Sequence, residues 1–556
     1  MADQPATVST AANLTPWQHR KSEARIRWQD LALAGLSSGL LILSFPKAGL
    51  DFFAWVGLAP LFISLDGKKP QTAFLLCFLS GWGLYTGIFY WIWTLPSFNL
   101  LDYLLLATYL SIFLGTFGLI LGYVRSRTNL SLAFVAPPLW VVLEYIRSHA
   151  GFLGVPWMLL GHSQFLHPTL IQITALTGVY GLSFLIVLVN AVVAEIAPGV
   201  RSSTRADLRI AAARFRPVTI ALVITLLGGS LSYGRWILSD DQAGEELRVS
   251  VVQGNIPQDQ KWDQAFRTEI LNKYISLTRV AARDAPALII WPETAVPGDV
   301  QHSPVLLRAL GGIAHEAGSY LLVGSSATAK FSDKKLAGKE YNSLVLLSPD
   351  GAIAGEYRKQ ILVPFGEYIP LRGTVRWSEA IATPRQDILA GNHSTLFTMG
   401  PLVFGATICW ENVFPDLFRD FVQGGARLMI NATNEAWFGE TAASYQFLAM
   451  SVFRAAENRV AVVRSTNTGI SAFIDPHGKI IERLIGADGK ALFVEGVLTG
   501  TVQLSRGLTF YARYGDVFTF GQVVACVLML CYALLIDWRR KSVSHPRHAL
   551  LREEER

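Results

Sequence analysis

Hydrophobic residues make up 51% of the 556-residue chain, charged residues only 16%, and mean hydropathy is +0.34. Globular chains carry about 25% charged residues, so this composition excludes a single soluble domain and a disordered chain. Four cysteines exclude a disulfide scaffold. The net charge of +6 forms no basic patch on the polar part of the chain, which argues against a nucleic-acid partner.

In chain order, a polar tail (1–28) precedes a series of long apolar runs filling 29–240. A span needs about 20 apolar residues, and seven candidates fall at 31–46, 51–66, 72–94, 100–124, 131–148, 172–196 and 217–237. The first two are short and interrupted by Pro46, as in a re-entrant pair. Residues 244–505 then read as globular, 515–538 as an eighth span, and 539–556 as a basic tail. Basic residues mark every second connection: Arg20, Lys21, Arg25 and Arg27; Lys68 and Lys69; Arg125 and Arg127; the 201–216 loop; and Arg539, Arg540, Lys541 and Arg547. The positive-inside rule then places both termini in the cytoplasm and 244–505 outside. The polar start running into a full span gives no cleavable signal peptide.

From Glu246 onward, short β-rich runs alternate with helical stretches, the pattern of an α/β domain. No P-loop, dinucleotide fingerprint or His-based metal motif is present in the sequence. Three polar residues fall just past strand ends, where such sheets build their sites: Glu293 after Leu288–Pro292, Lys359 after a hairpin strand, and Cys409 after Phe404–Ile408. Cys77, Cys526 and Cys531 lie in apolar runs, leaving Cys409 alone in the outer domain. A thiolate nucleophile needs a depressed pKa, here expected from a nearby ammonium and the helix starting at Pro415. A carboxylate can serve as its base and the ammonium can hold an oxyanion. The same residues also fit a small buried hydrophobe, a helix cap and a solvated loop lysine.

Trp291-Pro292-Glu293, Lys359 before Leu362-Val363-Pro364-Phe365-Gly366-Glu367, and Ile408-Cys409-Trp410-Glu411 resemble the Glu–Lys–Cys triad of the nitrilase superfamily. Val252–Gln258 with Lys261-Trp262, Asn434–Gly439, Arg464–Gly469, Glu144–Arg147, Val155–Trp157 and Gly161–Gln164 narrow this to a resemblance to the apolipoprotein N-acyltransferase family. The resemblance implies a multi-span helical bundle with an αββα sandwich in the periplasm of a bacterial inner membrane. It implies no cofactor. The implied donor is a phospholipid, the acceptor a diacylglyceryl apolipoprotein, and the intermediate a thioester on Cys409. It makes Glu293 the general base and Lys359 the oxyanion stabiliser, with Glu367 and Glu411 as supporting carboxylates. Trp262 and Trp437 then contact substrate or gate the pocket. Trp410 and Glu435 depart from the family's usual Tyr and Asp.

The aperiodic stretch from Gly366 to Asn392, with Leu371, Val375, Trp377, Ile381 and Ile388, reads as a lid that admits acyl chains. Glu144 and Arg147, one helical turn apart, are membrane-side candidates: a structural pair near the outer surface, with headgroup contact as a second role. His149, His162 and His167 read as interfacial hydrogen-bonding groups with no metal. Two rival functions are a membrane-tethered nitrilase-type amidase and a transporter or lipid receptor. The first leaves seven spans unexplained; the second leaves the triad unexplained.

Overall fold

The computed structural model describes residues 25–95, 98–197, 206–239, 244–329, 339–376 and 387–553. The apolar half forms helices over Trp28–Ser44, Pro70–Ile88, Leu100–Arg127, Leu132–Ser148, Val179–Ile196 and Ala206–Ser239, and a last helix runs over Val517–Glu553. Among the described residues, four helical stretches are long and apolar enough to cross a membrane: Leu100–Arg127, Val179–Ile196, Pro217–Ser239 and Val517–Arg540. Over the expected 51–66 run the helix is short, Asp51–Ser64, and interrupted, in the consecutive pieces Asp51–Phe53, Ala54–Gly57 and Ala59–Ser64. Asn190 explains the break. Its side-chain carbonyl accepts from Leu58 and Ala59 N–H at 2.8 and 3.0 Å, and its amide donates to Ala54 O at 2.8 Å. It thereby satisfies backbone groups freed at the interruption. The expected 172–196 span likewise starts only at Val179, after two short turns.

Among the described residues the globular half contains twelve strands: β1 (Glu246–Gln253), β2 (Leu288–Ile290), β3 (Tyr320–Thr328), β4 (Glu340–Leu347), β5 (Ile353–Arg358), β6 (Phe397–Met399), β7 (Leu402–Ile408), β8 (Leu428–Thr433), β9 (Ala461–Thr466), β10 (Ala472–Ile474), β11 (Ile480–Arg483) and β12 (Gly496–Gln503). They form two six-stranded sheets, ordered β12-β1-β2-β3-β4-β5 and β11-β10-β9-β8-β7-β6. Strands β1, β2 and β3 run parallel, as do β7, β8 and β9, with antiparallel hairpins at the sheet margins. The first and last strands pair along their whole length, from Glu246↔Gln503 to Gln253↔Gly496.

The period of two decides the layers. Ile289, Leu321, Val323 and Val345 pack with Ile270, Tyr274, Leu310 and Ile313 of the helices Arg267–Ala282 and Pro304–Ala317. Their neighbours Leu288, Ile290, Leu322, Leu344 and Leu346 join the second sheet's core. On the far side, Phe418, Phe421, Phe447 and Phe453 bring the helices Pro415–Gln423 and Ala443–Asn458 to that core. The result is an αββα sandwich.

The helical and sheet regions are bolted together by polar contacts inside an aromatic cluster. Gln446 accepts from the indoles of Trp91 and Trp157 at 3.1 and 2.8 Å and donates to Ile88 O at 3.1 Å. Trp91 also stacks edge-on against Phe438, centroids 5.1 Å apart. Elsewhere in the helical region, Lys68 pairs with Asp30, Arg125 with Asp66 (3.9 Å) and Arg127 with Asp537 (3.4 Å), while Arg540 donates to Arg127 O (3.2 Å).

Candidate active site

Glu293, Lys359 and Cys409 sit just beyond the C-terminal ends of β2, β5 and β7. Strand β5 runs in the same sense as β2 because two antiparallel pairings separate it from β3. Glu293 and Lys359 therefore emerge at one edge of their sheet. Lys359 Nζ lies 3.7 Å from Glu293 Oε1 and 2.7 Å from Glu367 Oε1, and Lys359 is only 1% exposed. Asn342 on β4 donates to Glu293 Oε1 at 2.7 Å, and the Asn434 N–H past β8 donates to Oε2 at 2.7 Å. This last bond crosses between the sheets. The turn carrying Glu293 lies directly on β3, since a Cβ on Gly324 would come within 2.2 Å of Pro292 O.

Cys409 is partly exposed and holds φ at 56°, the left-handed region that non-glycine residues seldom occupy. Such a conformation is kept only where its surroundings enforce it. Asn431 grips its carbonyl at 3.1 Å, and the following 3-10 turn, Cys409–Val413, is organised by Glu411. The Glu411 carboxylate accepts from Gln360 N–H (2.6 Å), Ile361 N–H (3.0 Å), Ile408 N–H (2.8 Å) and the Tyr357 hydroxyl (2.9 Å). It thus joins the Lys359 loop to the Cys409 turn.

The electrostatics correct one sequence expectation. Burial and the neighbouring carboxylates of Glu293 and Glu367 push the Cys409 thiol up, against the pull of Lys359. A thiol raised in this way needs an acceptor for its proton before it can react. Burial would lower Lys359, but Glu367, Cys409 and Glu293 outweigh it and hold the ammonium protonated well above the usual lysine range. Burial pushes Glu411 up to about 7, opposed by its N–H donors.

The remaining expected residues fall at different distances from this centre. Glu367 is drawn in fully, its second oxygen accepting from Val363 N–H at 2.7 Å. Trp410 donates to Ile361 O at 2.6 Å and packs edge-on against Phe414. Trp437 is half-buried in the turn after Asn434, and Trp262 is 59% exposed. Glu144 and Arg147 make no direct ion pair. Glu144 Oε1 accepts from Leu160 N–H (2.8 Å), and Arg147 reaches the Tyr85 hydroxyl and Trp157 O (3.3 Å each), because the loop after the helix supplies nearer partners.

Trp377 and Ile381 lie outside the described residues. The ends of that stretch are tied by Ile388 N–H to Glu367 O (2.9 Å) and by Arg372 to Asp387 (2.8 Å), with Leu371 exposed. His167 bonds Asp51 at 2.9 Å. His149 bonds Asp416 at 2.9 Å and comes close to Asp516, a grouping of metal-ligand type that the sequence expectation did not include. Arg419, 2.9 Å from Asp416 and 3.7 Å from Asp516, supplies positive charge there.

Family comparisons match this division of the chain. A model of the apolipoprotein N-acyltransferase N-terminal domain matches residues 37–192, and the carbon-nitrogen hydrolase model matches 248–508. The apolipoprotein N-acyltransferase of Geobacter metallireducens is 37% identical over 525 residues, covering 93% of this chain and 97% of its own. The chain belongs to the apolipoprotein N-acyltransferase family. A second member, from Methylococcus capsulatus, is 31% identical over 526 residues, covering 92% of this chain and 97% of its own. Among solved structures, Saccharomyces cerevisiae Nit3 of the nitrilase superfamily superposes with a TM-score of 0.36 at 18% identity, covering 47% of this chain and 91% of its own.

One departure from the family's usual residues has a structural account. Glu435 is fully buried, pairs with Arg464 and lies over Gly469, where a Cβ would meet its carboxylate at 2.1 Å. Arg464 is held in turn by Asn431 (2.9 Å) and Ser451 (2.8 Å). Sequence reasoning gave no role to Asn342 or Asn434, which orient Glu293. Asn342 lies in the polar first half of β4, and Asn434 acts through its backbone N–H just past β8, which no side-chain pattern marks.

Proposed function

We propose that the protein transfers an acyl chain from a membrane phospholipid to the N-terminal amine of a diacylglyceryl apolipoprotein through a thioester on Cys409. The observation that carries this is the buried cluster in which Glu293, oriented by two donors, shares Lys359 with Glu367 next to the one cysteine of the outer domain. Glu293 takes the thiol proton as Sγ attacks the sn-1 ester carbonyl. The resulting oxyanion is held by Lys359. Collapse breaks the ester C–O bond, Glu293 returns the proton to the departing lysophospholipid oxygen, and a thioester remains. The acceptor amine then attacks the thioester and gives a proton to Glu293. C–S cleavage forms the amide, and Sγ regains its proton. Glu367 and Glu411 hold Lys359 and the Cys409 turn in place, and Trp262, Trp410 and Trp437 border the approach.

Eight crossings with both termini cytoplasmic and the sandwich periplasmic follow from the alternating basic connections. The pairing of Lys68, Arg125 and Arg127 with acidic partners, and of Arg540 with the Arg127 carbonyl, supports this reading. A site tethered this way meets two lipid substrates in the plane of the bilayer. Glu144 and Arg147 then sit on the lipid side.

Intact mass of the purified protein after mixing with phospholipid of known acyl chain tests the scheme. One acyl adduct is expected, released by hydroxylamine, discharged by a diacylglyceryl-cysteine peptide and missing in Cys409→Ala. Folded protein that forms no adduct with any phospholipid overturns it.

A further inference from the structure

Lys261 ends a short helical turn, Gln258–Lys261, directly before the exposed Trp262. Its side chain turns inward and is buried, with Nζ donating to the main-chain carbonyl of Glu293 at 2.8 Å. The same turn is fastened to the Glu293 carboxylate by a second route. Gln258 accepts from the Asn434 side chain at 2.9 Å, and the Asn434 N–H is one of the two donors on Glu293. A buried ammonium has three N–H groups, and burying it uncompensated is costly. Its charge faces Glu293 and Cys409.

The charge count shows what this second lysine does. The groups facing the centre are Glu293, Glu367, Lys359, Lys261 and Cys409, with Glu411 beyond Lys359. Arg464 also faces Cys409 but is paired with Glu435. Two ammoniums balance the carboxylates of Glu293 and Glu367. When the thiol proton moves to Glu293, the thiolate replaces the lost carboxylate charge and the balance holds. Without Lys261 the same step would take place in a buried site with an excess negative charge.

We infer that Lys261 is a positioning residue of the reaction centre: tied to the Glu293 carbonyl, its charge favours the Cys409 thiolate during proton transfer to Glu293. Burial lowers Lys261 to about 8, against the pull of Glu293 and Cys409, so the group remains protonated at neutral pH. The inference rests on Cys409 being the nucleophile.

The test is the rate of Cys409 alkylation by iodoacetamide in the full-length protein, read by peptide mass from about pH 6 to about pH 10. Lys261→Gln removes the charge and retains an N–H donor; Lys261→Arg retains the charge. Below about pH 8, where Lys261 carries its charge, the Gln variant is expected to be alkylated about tenfold more slowly than wild type, with the two profiles converging at higher pH, while the Arg variant stays near wild type. A Gln variant that titrates like wild type overturns the inference. If that variant fails to melt cooperatively, the profile of Lys261→Met decides in the same way. Because thiolate formation is read without turnover, a wild type that forms the acyl adduct while the variants titrate alike removes Lys261 alone. A wild type that forms no adduct removes the nucleophile reading.

Discussion

The acids of the candidate site and Glu144 in the helical half are held in different ways. In the sandwich, Glu293, Glu367 and Glu411 each have both carboxylate oxygens engaged, and most of the donors are backbone N–H groups of loops at strand ends. In the helical half, Glu144 has one such donor, Leu160 N–H, and its other neighbours are side chains: the Arg147 guanidinium, Ser183 and Trp140. The difference follows from backbone geometry. A helix uses its own N–H groups internally, and only its first turn leaves them free. Strands feeding loops release N–H groups side by side at one edge of a sheet. An acid can therefore be fully satisfied at a strand end, whereas within a helical bundle it depends on a chance loop.

The largest expected effect in this comparison is at Glu411. Glu411→Ala leaves three N–H groups and the Tyr357 hydroxyl without their acceptor, a loss of about 3–5 kcal/mol in thermal unfolding. The pH dependence has a definite sign. Burial raises Glu411 from 4.5 to about 7, so the folded state binds a proton that the unfolded state has released between those values. Its contribution to stability is present below about 4.5 and is lost as pH rises to about 7. Glu411→Gln should flatten that part of the stability profile; an unchanged slope would show that another group carries it.

A smaller loss, about 2 kcal/mol, is expected for Gln446→Leu, which strands the Trp91 and Trp157 indoles inside the aromatic cluster joining the halves. The measurement is thermal unfolding of the full chain. A neutral result would mean that aromatic packing alone holds the junction.

The smallest effect is expected at Glu144. Glu144→Gln keeps an oxygen for Leu160 N–H and removes the charge beside the buried Arg147, so the loss in unfolding free energy should be about 1 kcal/mol. A loss beyond about 2 kcal/mol would show that Glu144 is held as firmly as the acids of the candidate site, and would erase the contrast.

The candidate site was legible in the sequence because its side chains follow short apolar runs, and a polar residue after such a run marks a strand end. Cys409 after Phe404–Ile408 and Glu293 after Leu288–Pro292 both have that form. The hairpin of β4 and β5 was legible from its Pro349-Asp350-Gly351 turn. What orients these groups was not, since Asn342, Asn434 and Lys261 reach Glu293 from separate segments that meet only through folding. The rise of the Cys409 thiol was missed for a related reason. The sequence suggested the ammonium, but how close two carboxylates come to it depends on three dimensions. In the helical half, apolar length suggested one span over 51–66, whereas Asn190, far along the chain, stabilises the break there.

The pairing of β1 with β12 brings the two ends of the sandwich to adjacent strands, about 4.8 Å apart. A fold whose ends adjoin can be spliced into a host loop without stretching either partner. The host here is the connection between the helices ending at Ser239 and beginning at Val517. The α/β unit is thus a cassette inserted in a helical chain. Another domain with adjoining ends could therefore be grafted between those two helices in its place.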